Sequence, residues 1–428
     1  MPMRSNSRKS TVDSRKSTVD SRKSTVGVIV LLLYVALAFR PAVSAQQYTF
    51  EEVASGLTHK DVNTRLRAIQ ILKDADYAEA AGPIAATLED SDDRVQLAAI
   101  DAERSLFMAR VVPRRKKIGL VVEIRTIAGG DAAAAGQLAL KARRVPTQLL
   151  SSLAVALRDS NPRVRAEAIN LASLVGPYAC VAVRLKPDPA DIARPEGPSS
   201  RVRLDGDRDS CTNIGNALVD NINSREPLLR RAAMQALGQL RYPNAVQALS
   251  DQFSYRQKGL DGMAALEGLA GIGHPTSVSI FEGLLTSKNA DMRRLAVEGL
   301  ARTMNRDVLS TLQQMGQEER SNGVLLALHY ANAKLGGIES SLQQIVAGLG
   351  NAAQRPLVLG YLLDLSTSMA PAIAGALTDQ SEDVRRLVAD VLGFSGNTAV
   401  LPALEGAAKD SDPDVAAAAQ QAIERLKL

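Results

Sequence analysis

The sequence predicts an all-α protein, an α-α superhelix of about eleven two-helix repeats, from two observations. A phrase of an acidic or small residue, a turn, an apolar residue, an arginine and an alanine-rich helix recurs along the chain. It reads DSNPRVRAEAINLASLVG from Asp159 and DQSEDVRRLVADVLG from Asp379. Self-similarity at a fixed period is typical of solenoids, whose units bury their apolar faces only by stacking. No alternating pattern typical of β-strands runs over a comparable length.

Residues 1–45 are expected to be a signal peptide with a low-complexity basic leader. The leader repeats SRKSTVD at 7–13 and 14–20, and an apolar run follows at 27–39. This run fits the apolar region of a signal peptide and is shorter than the ~20 residues that span a bilayer. Small residues before Ala45 place the expected cleavage there. We therefore expect export, to the periplasm or the extracellular space, with no stable membrane span after cleavage; retention of the run as an anchor is the alternative.

The remaining chain, 46–428, is expected to be one solenoid with an inserted loop. Two intervals between copies of the phrase, 59–90 and 379–410, are equal at 31 residues, and most others are close to multiples of that length. Recognisable copies begin at 59, 90, 159, 224, 287, 379 and 410. Degenerate units near 121, 255, 318 and 348 complete the count of about eleven.

Each column of the phrase has a physical role. Side chains suited to capping a helix N-terminus stand two residues after the starts, at Asp61, Asp92, Asn161, Glu226, Asn289, Ser381 and Asp412. Gly176, Gly238 and Gly393 lie near helix ends, where a left-handed cap is expected. The acid and arginine columns recur in register, so we interpret them as a turn acid facing a nearby guanidinium, structural and not catalytic; they include Asp159, Arg165, Arg230, Arg293, Asp379 and Arg385.

The phrase resembles the HEAT repeat, in particular the short alanine-rich form similar to that of phycobilisome lyase subunits. The resemblance covers roughly residues 50–428. It implies a binding scaffold, because HEAT arrays mostly serve as such, and it leaves a lyase-like enzyme as the minority reading.

One interruption of the array, at 176–211, contains about 34 residues beyond the period. It is rich in Pro, Gly, Asp and Arg, and the chain's two cysteines, Cys180 and Cys211, lie at its ends. In an exported protein these predict a disulfide that closes the base of a long loop. Two unrelated thiols are the alternative. Because long loops on a rigid scaffold are often functional, this loop is also a candidate specificity element.

Composition and charge exclude several classes of function. Aromatic residues make up 3% and Trp is absent, which argues against a platform for stacked nucleic-acid bases. The net charge of +5 comes from residues 1–45, so the array is near neutral and lacks the electrostatic basis for binding nucleic acid. One basic stretch at 110–117, with Lys141, Arg143 and Arg144, is either a solvated face or a docking site for an acidic partner.

The sequence offers no catalytic, cofactor or metal site. The three histidines lie in different repeats, and no nucleophile motif or phosphate-binding glycine loop appears. Asp205, Asp207 and Asp209 begin like a calcium loop, but Ser210 stands where such a loop needs Gly. The sequence therefore favours an exported, non-enzymatic scaffold that binds a protein or peptide. A lyase-like enzyme or enzyme subunit and a structural component of the cell envelope are the alternatives.

Overall fold

The computed structural model describes residues 49–108, 136–181, 198–257 and 259–428. For Val181 and 198–207 it describes the backbone alone. The expected signal peptide, the basic stretch at 110–117 and the repeat expected near 121 lie outside the described residues. From Phe50 to Leu428 the chain forms one compact unit.

The described elements are α-helices joined by turns and short 3-10 segments. In chain order the helices are α1 (Phe50–Ser55), α2 (Val62–Ala75), α3 (Ala81–Ala86), α4 (Asp93–Phe107), α5 (Thr147–Ala156), α6 (Pro162–Gly176), α7 (Pro198–Asn221), α8 (Pro227–Gln239), α9 (Val246–Tyr255), α10 (Leu260–Ile272), α11 (Val278–Leu284), α12 (Ala290–Arg302), α13 (Leu309–Glu318), α14 (Asn322–Gly336), α15 (Glu339–Ala347), α16 (Arg355–Ala374), α17 (Glu382–Leu392), α18 (Leu401–Ala407) and α19 (Pro413–Leu426). Among these residues the β structure is limited to an isolated bridge between Met108 and Leu140. The predicted all-α superhelix is confirmed.

The helices form two rows. The helices that carry the repeated phrase stack on one another in the order α2, α4, α6, α8, α10, α12, α14, α16, α17 and α19, and the shorter helices cover them on one side. The turn after α8 reaches α16, since Arg241 bonds Asp364 at 2.5 Å. This row therefore lines the inside of the superhelix, and we call it the inner row.

The inner row accounts for ten of the expected repeats. The unit near 121 lies outside the described residues, and α4 packs directly on α6 without it. Arg104 of α4 donates to Glu167 of α6 at 2.6 Å. The stack is therefore continuous across this interval.

Polar caps begin most inner-row helices. The side chains of Asp61, Asp92, Asn161, Asn289, Ser381 and Asp412 each accept a backbone N–H of the first turn. Glu226 makes no such bond. The caps satisfy N–H groups that have no acceptor within the helix.

The glycines expected to end helices in a left-handed conformation do not do so. Gly393 has a φ of −60°, and Gly176 and Gly238 lie inside their helices. Gly238 is needed for close approach: a Cβ there would lie 2.8 Å from the Cα of Gly268 in α10. The left-handed turns fall instead at Gly273, Gly337 and Gly396 and, without glycine, at Asp76, Arg241 and Met304.

The irregular loop of the insertion is shorter than the sequence suggested. The loop was expected to run to Cys211, but α7 already begins at Pro198. All the prolines of the insertion lie at or before 198, where proline is tolerated in a first helical turn, and the polar residues after it are compatible with a helix. Cys180 and Cys211 form a disulfide, so the bond joins the π-helical turn Pro177–Val181, directly after α6, to α7. Asp205, Asp207 and Asp209 lie on this helix and not on the irregular loop that calcium binding requires.

The longest apolar helix, α16, belongs to the core. With its following turn, Arg355–Thr378 is long and apolar enough to cross a membrane by length and composition, but half of its most apolar window is buried in the fold. The helix kinks at Met369, whose φ and ψ are −119° and 19°, two residues before Pro371. Its first part therefore stacks in the inner row and its second part begins the next helix pair.

The C-terminal end of the array contacts its N-terminal third. Arg144 donates to the Leu428 carbonyl at 2.5 Å, and Arg425 donates to the Leu140 carbonyl. The Tyr178 ring meets the Phe394 ring edge-on, with centroids 5.8 Å apart. We call these interactions the end contact. They join residues more than 200 positions apart, so the C-terminal end of the superhelix is fixed to the segment around α5 and α6.

Glu103 is an exception in the packed core. It lies thirteen residues after the repeat start, where other copies carry Leu72, Leu237, Leu300 and Leu392. The side chain is 0% exposed, and neither carboxylate oxygen has a hydrogen-bond partner among the described residues. Burial raises the pKa of the Glu103 carboxyl well above its usual range.

We expect Glu103→Leu to stabilise the protein by roughly 1–3 kcal/mol, because a buried polar group without a partner costs about that much. The raised folded pKa means that the native protein keeps the proton, so the cost of burying Glu103 is smallest below its unfolded pKa and grows as the pH rises. Thermal unfolding at pH 5 and pH 8 measures both effects, and the variant should show a smaller loss between them. Glu79→Leu, at an exposed position, is the control and should change stability by no more than about 0.5 kcal/mol. A Glu103→Leu variant less stable than the wild type at pH 8 would contradict this.

Candidate functional site

The arginine column of the repeat forms a ladder between successive inner-row helices. Arg385 donates from Nη1 to the carbonyls of Asp379 and Gln380 in its own turn. Its other edge donates from Nε and Nη2 to the two carboxylate oxygens of Asp410, at 2.7 and 2.9 Å. Three other arginines of the column pair in a similar way with an acid of the following repeat: Arg65 with Asp90, Arg230 with Asp261, and Arg293 with Glu319.

The ladder differs from the expected pairing in one respect. Arg165 and Arg385 were each expected to face the acid that begins their own repeat. They bind the backbone carbonyls of Asp159 and Asp379 instead, and the carboxylate that Arg385 meets, Asp410, belongs to the following repeat. The Asp159 carboxylate accepts the Gln96 amide of the preceding repeat at 2.9 Å. A guanidinium has enough donors for both tasks, so the column fixes each turn and also joins it to the next helix.

The described basic residues near 141–144 are all engaged within the chain. Lys141 and Arg143 bond the Asp76 carboxylate at 2.7 and 3.1 Å. Arg144 takes part in the end contact. These three side chains are therefore structural, and the stretch at 110–117 lies outside the described residues.

A buried charged cluster lies inside the superhelix. Asp364 of α16 is paired with Arg241 at 2.5 Å, Lys334 at 2.9 Å and Arg302 at 3.1 Å. The Tyr330 hydroxyl donates to the same carboxylate. Three repeats and the turn after α8 thus converge on one buried acid.

A second carboxylate completes this cluster. Glu298 of α12 accepts Arg294 at 2.6 Å and the Tyr361 hydroxyl at 2.7 Å, and it pairs with Arg302 at 3.4 Å. The Tyr330 and Tyr361 rings stack with centroids 4.5 Å apart. Arg302 joins the two carboxylates. We call the whole set the inner ion cluster: Arg241, Arg294, Glu298, Arg302, Tyr330, Lys334, Tyr361 and Asp364.

The electrostatics of the cluster keep both acids ionised. Burial alone would raise the pKa of the Asp364 carboxyl, but Arg241, Lys334 and Arg302 outweigh burial, and the pKa lies well below its usual range. Burial also opposes ionisation of Glu298, and Arg294 and Arg302 lower its pKa. Burial raises the pKa of the Tyr330 hydroxyl well above its usual range. The hydroxyls therefore remain donors, and four cations face two carboxylates.

Arg241 occupies a strained position. Its φ is 49°, in the left-handed region where the turns after α10 and α14 have Gly273 and Gly337. Such a conformation costs a non-glycine residue of the order of 1 kcal/mol or more. The ion pair with Asp364 holds the side chain there, so an arginine stands at the rim of the interior in a turn that other repeats form with Gly396, Asp76 or Met304.

Five residues of the inner ion cluster line a cleft of about 220 Å³, namely Arg241, Arg294, Glu298, Arg302 and Tyr361. Gln235, Gln239 and Glu267 add polar groups to its walls, and Glu267 accepts the Gln235 amide at 2.7 Å. Gly271 and Gly360 leave space between the helices. Arg241 is 36% exposed and is the most accessible cation of the cluster. The cleft thus offers fixed guanidinium groups to an anionic or polar group.

Sequence reasoning did not find this cleft. The residues of the inner ion cluster lie up to 123 positions apart in the sequence. Which helices face each other across the interior depends on the pitch of the superhelix. One signal was available: Asp364 is the one charged residue in the apolar stretch 356–378. A buried acid in such a stretch requires partners.

Within the described residues, no group of three or more His, Cys, Asp or Glu side chains is placed to hold a metal ion. His274 accepts the backbone N–H of Thr276 and so caps a turn. The described chemistry of the site is therefore charge and hydrogen bonding.

The comparisons with known proteins confirm the repeat. Residues 344–424 match HEAT repeats, and residues 229–252 match the PBS lyase HEAT-like repeat. The chain therefore carries HEAT repeats, including the short form that the alanine-rich phrase suggested. No curated protein sequence matches the chain.

Several solved structures are similar over long stretches at low identity. The complex of CpcE and CpcF of phycocyanin lyase from Nostoc sp. PCC7120 is 16% identical, with a TM-score of 0.36, covering 72% of this chain and 100% of that one. Human deoxyhypusine hydroxylase in complex with glycerol is 18% identical, with a TM-score of 0.27, covering 66% and 96%. Importin beta is 12% identical, with a TM-score of 0.38, covering 88% and 52%. Likeness at this level does not extend to a function.

We expect Asp364→Asn to destabilise the protein by about 3–5 kcal/mol, because three buried cations lose their carboxylate. Since the folded pKa of Asp364 is lowered, its contribution is present above the unfolded pKa and is lost as the pH falls. Urea unfolding at pH 7 and at pH 3, below the unfolded pKa of about 3.9, measures both effects, and the variant should lose less on acidification. Asp383→Asn, at a carboxylate 56% exposed and 3.7 Å from Arg355, is the control and should cost less than about 1 kcal/mol. Equal effects of the two substitutions would contradict the assigned role.

Proposed function

We propose that this protein is an exported HEAT-repeat scaffold that binds a protein or peptide partner in the cleft above the inner ion cluster. The observation that carries the proposal is the cluster itself. Two buried carboxylates and two stacked tyrosines hold guanidinium groups at the rim of a concave surface. Binding sites whose groups are fixed before the partner arrives lose less entropy on association.

The size and charge of the cleft support a peptide segment as the occupant. A volume of about 220 Å³ is smaller than the ~300–1,000 Å³ typical of small-molecule and cofactor sites, and it suits one or two side chains of an extended segment. The inner ion cluster has two positive charges in excess, or one if Glu267 is counted. A segment with an acidic or strongly polar side chain therefore fits best.

Blocking the cleft tests the proposal. We expect Gln239→Trp to fill the cleft without removing a member of the inner ion cluster, and to abolish recovery of the partner when the tagged chain from Gln46 onward is incubated with an envelope fraction. Gln247→Trp places the same side chain on the exposed face of α9 and is the matched control. Recovery of the same partner by both variants would contradict binding in the cleft. Turnover of a small molecule by the purified chain would favour a lyase-like enzyme, and stable incorporation into envelope material would favour a structural component.

Export is tested separately. We expect residues 1–45 to direct a reporter enzyme out of the cytoplasm of a bacterial host, and N-terminal sequencing of the secreted chain to begin at Gln46. A membrane-bound product with residues 27–39 intact would indicate an anchor, and a chain confined to the cytoplasm would contradict export. The purified mature chain should also contain no free thiol, since Cys180 and Cys211 are its two cysteines.

A further inference from the structure

We propose that a groove between the starts of α6 and α8 binds a carboxylate of a protein or peptide segment, at the one step of the ladder where an arginine lacks its acid. The site lies at the edge of the array and involves no residue of the inner ion cluster. It does not depend on the function proposed for the cleft.

The other steps define what an arginine in this column binds. In each of four copies, Nη1 donates to a carbonyl of its own turn, and the guanidinium edge formed by Nε and Nη2 meets a carboxylate of the next repeat. The closest distances are 2.7 Å for Arg65 with Asp90, 2.5 Å for Arg230 with Asp261, 2.8 Å for Arg293 with Glu319 and 2.7 Å for Arg385 with Asp410. Two parallel N–H···O bonds to a planar carboxylate are the strongest geometry available to arginine.

Arg165 is oriented in the same way without a carboxylate. Its Nη1 donates to the carbonyls of Asp159 and Ser160 at 2.6 and 3.0 Å. The next inner-row copy starts at Ser224, whose hydroxyl accepts the backbone N–H of Glu226. Among the described residues no carboxylate pairs with Arg165. The remaining edge of this guanidinium is therefore fixed in direction and available.

The groove in front of Arg165 is lined by three arginines and three acids, so its formal charges balance. Arg158, which also lines it, is paired with Asp220 at 2.9 Å. The Asp159 carboxylate is already used by Gln96 and by the backbone N–H of Asn161. Arg165, Arg225 and the exposed Glu226 are the other charged residues of the lining, and Arg165 is the one whose guanidinium is held in place by bonds to its own turn.

An exposed apolar side chain beside the groove indicates a peptide and not a free ion. Leu228, in the first turn of α8, is 77% exposed. The other recognisable copies have polar residues at this position, namely Asn63, Arg94, Arg163, Asp291, Asp383 and Asp414. Leu228 follows the groove residue Glu226 by two positions, so a segment that pairs with Arg165 could also use this aliphatic side chain.

Supplying the missing acid within the chain tests the geometry. We expect Ser224→Asp to raise the melting temperature by about 2 °C, through one added ion pair at a partly exposed site. Ser287→Asp is the matched control: its hydroxyl makes the same cap bond, to Asn289, but the preceding inner-row helix has Met263 in the arginine position. It should give no such rise.

Ligand-observed NMR with the full chain tests binding. The probes are three acetylated peptides: GSLEGSG with an amidated C-terminus, the same peptide with Gln for Glu, and GSLGSG with a free C-terminal carboxylate. We expect at least a fivefold stronger transfer signal for a carboxylate peptide than for the Gln peptide. Which of the two carboxylate peptides gives it identifies a side chain or a C-terminus as the source.

The variants decide the result. The signal should disappear in Ser224→Asp, which fills the site while keeping Arg165, and in Arg165→Gln, and it should persist in Ser287→Asp. Equal signals for all three peptides, no signal from any, or a carboxylate signal unchanged in Ser224→Asp would overturn the proposal.

Discussion

Each inner-row helix is covered by its neighbours in the stack, and this constraint governs the rest of the structure. α4 buries Ala99, Ile100 and Leu106 only because α2 and α6 lie against it. The side chain in the arginine column, three residues after the helix start, then fixes how each helix packs on the next. Arg65 and Arg385 do this by joining two turns, and Gln96 does it with an amide where no arginine stands. Stacking supplies the burial, and this column sets the register in which it occurs.

The repeat made the architecture predictable because its period is local. Capping residues such as Asp412 and first-turn prolines such as Pro162 mark helix starts within a few residues of sequence. What depended on distant parts of the chain was not predictable. The composition of the insertion predicted an irregular loop up to Cys211, whereas the sequence from Pro198 onward forms a helix that packs against α5 and α8. The approach of Arg241 to Asp364 follows from superhelical pitch, for which the sequence contains no local pattern.

Departures from the repeat were nevertheless visible as residues of the wrong type for their column. Asp364 stands alone in an apolar helix, Arg241 takes a left-handed position that suits glycine, and Ser224 replaces an acid. Each departure coincides with an interaction that the repeat does not provide. In a repeat protein the average of the copies explains stability, and the exceptions to that average indicate where a copy has an additional role.

The end contact changes how the array responds to a pulling force. A solenoid with free ends lengthens under load by small rotations between neighbouring repeats, and its stiffness is shared along the whole stack. Here Arg144 holds Leu428, Arg425 holds the Leu140 carbonyl, and Phe394 rests on Tyr178. A force applied to the C-terminal helix therefore acts first on the end contact and, through it, on the segment that Cys180 links to α7. The repeats in between bear no tension until the end contact breaks, so extension should occur as a discrete step and not as gradual stretching.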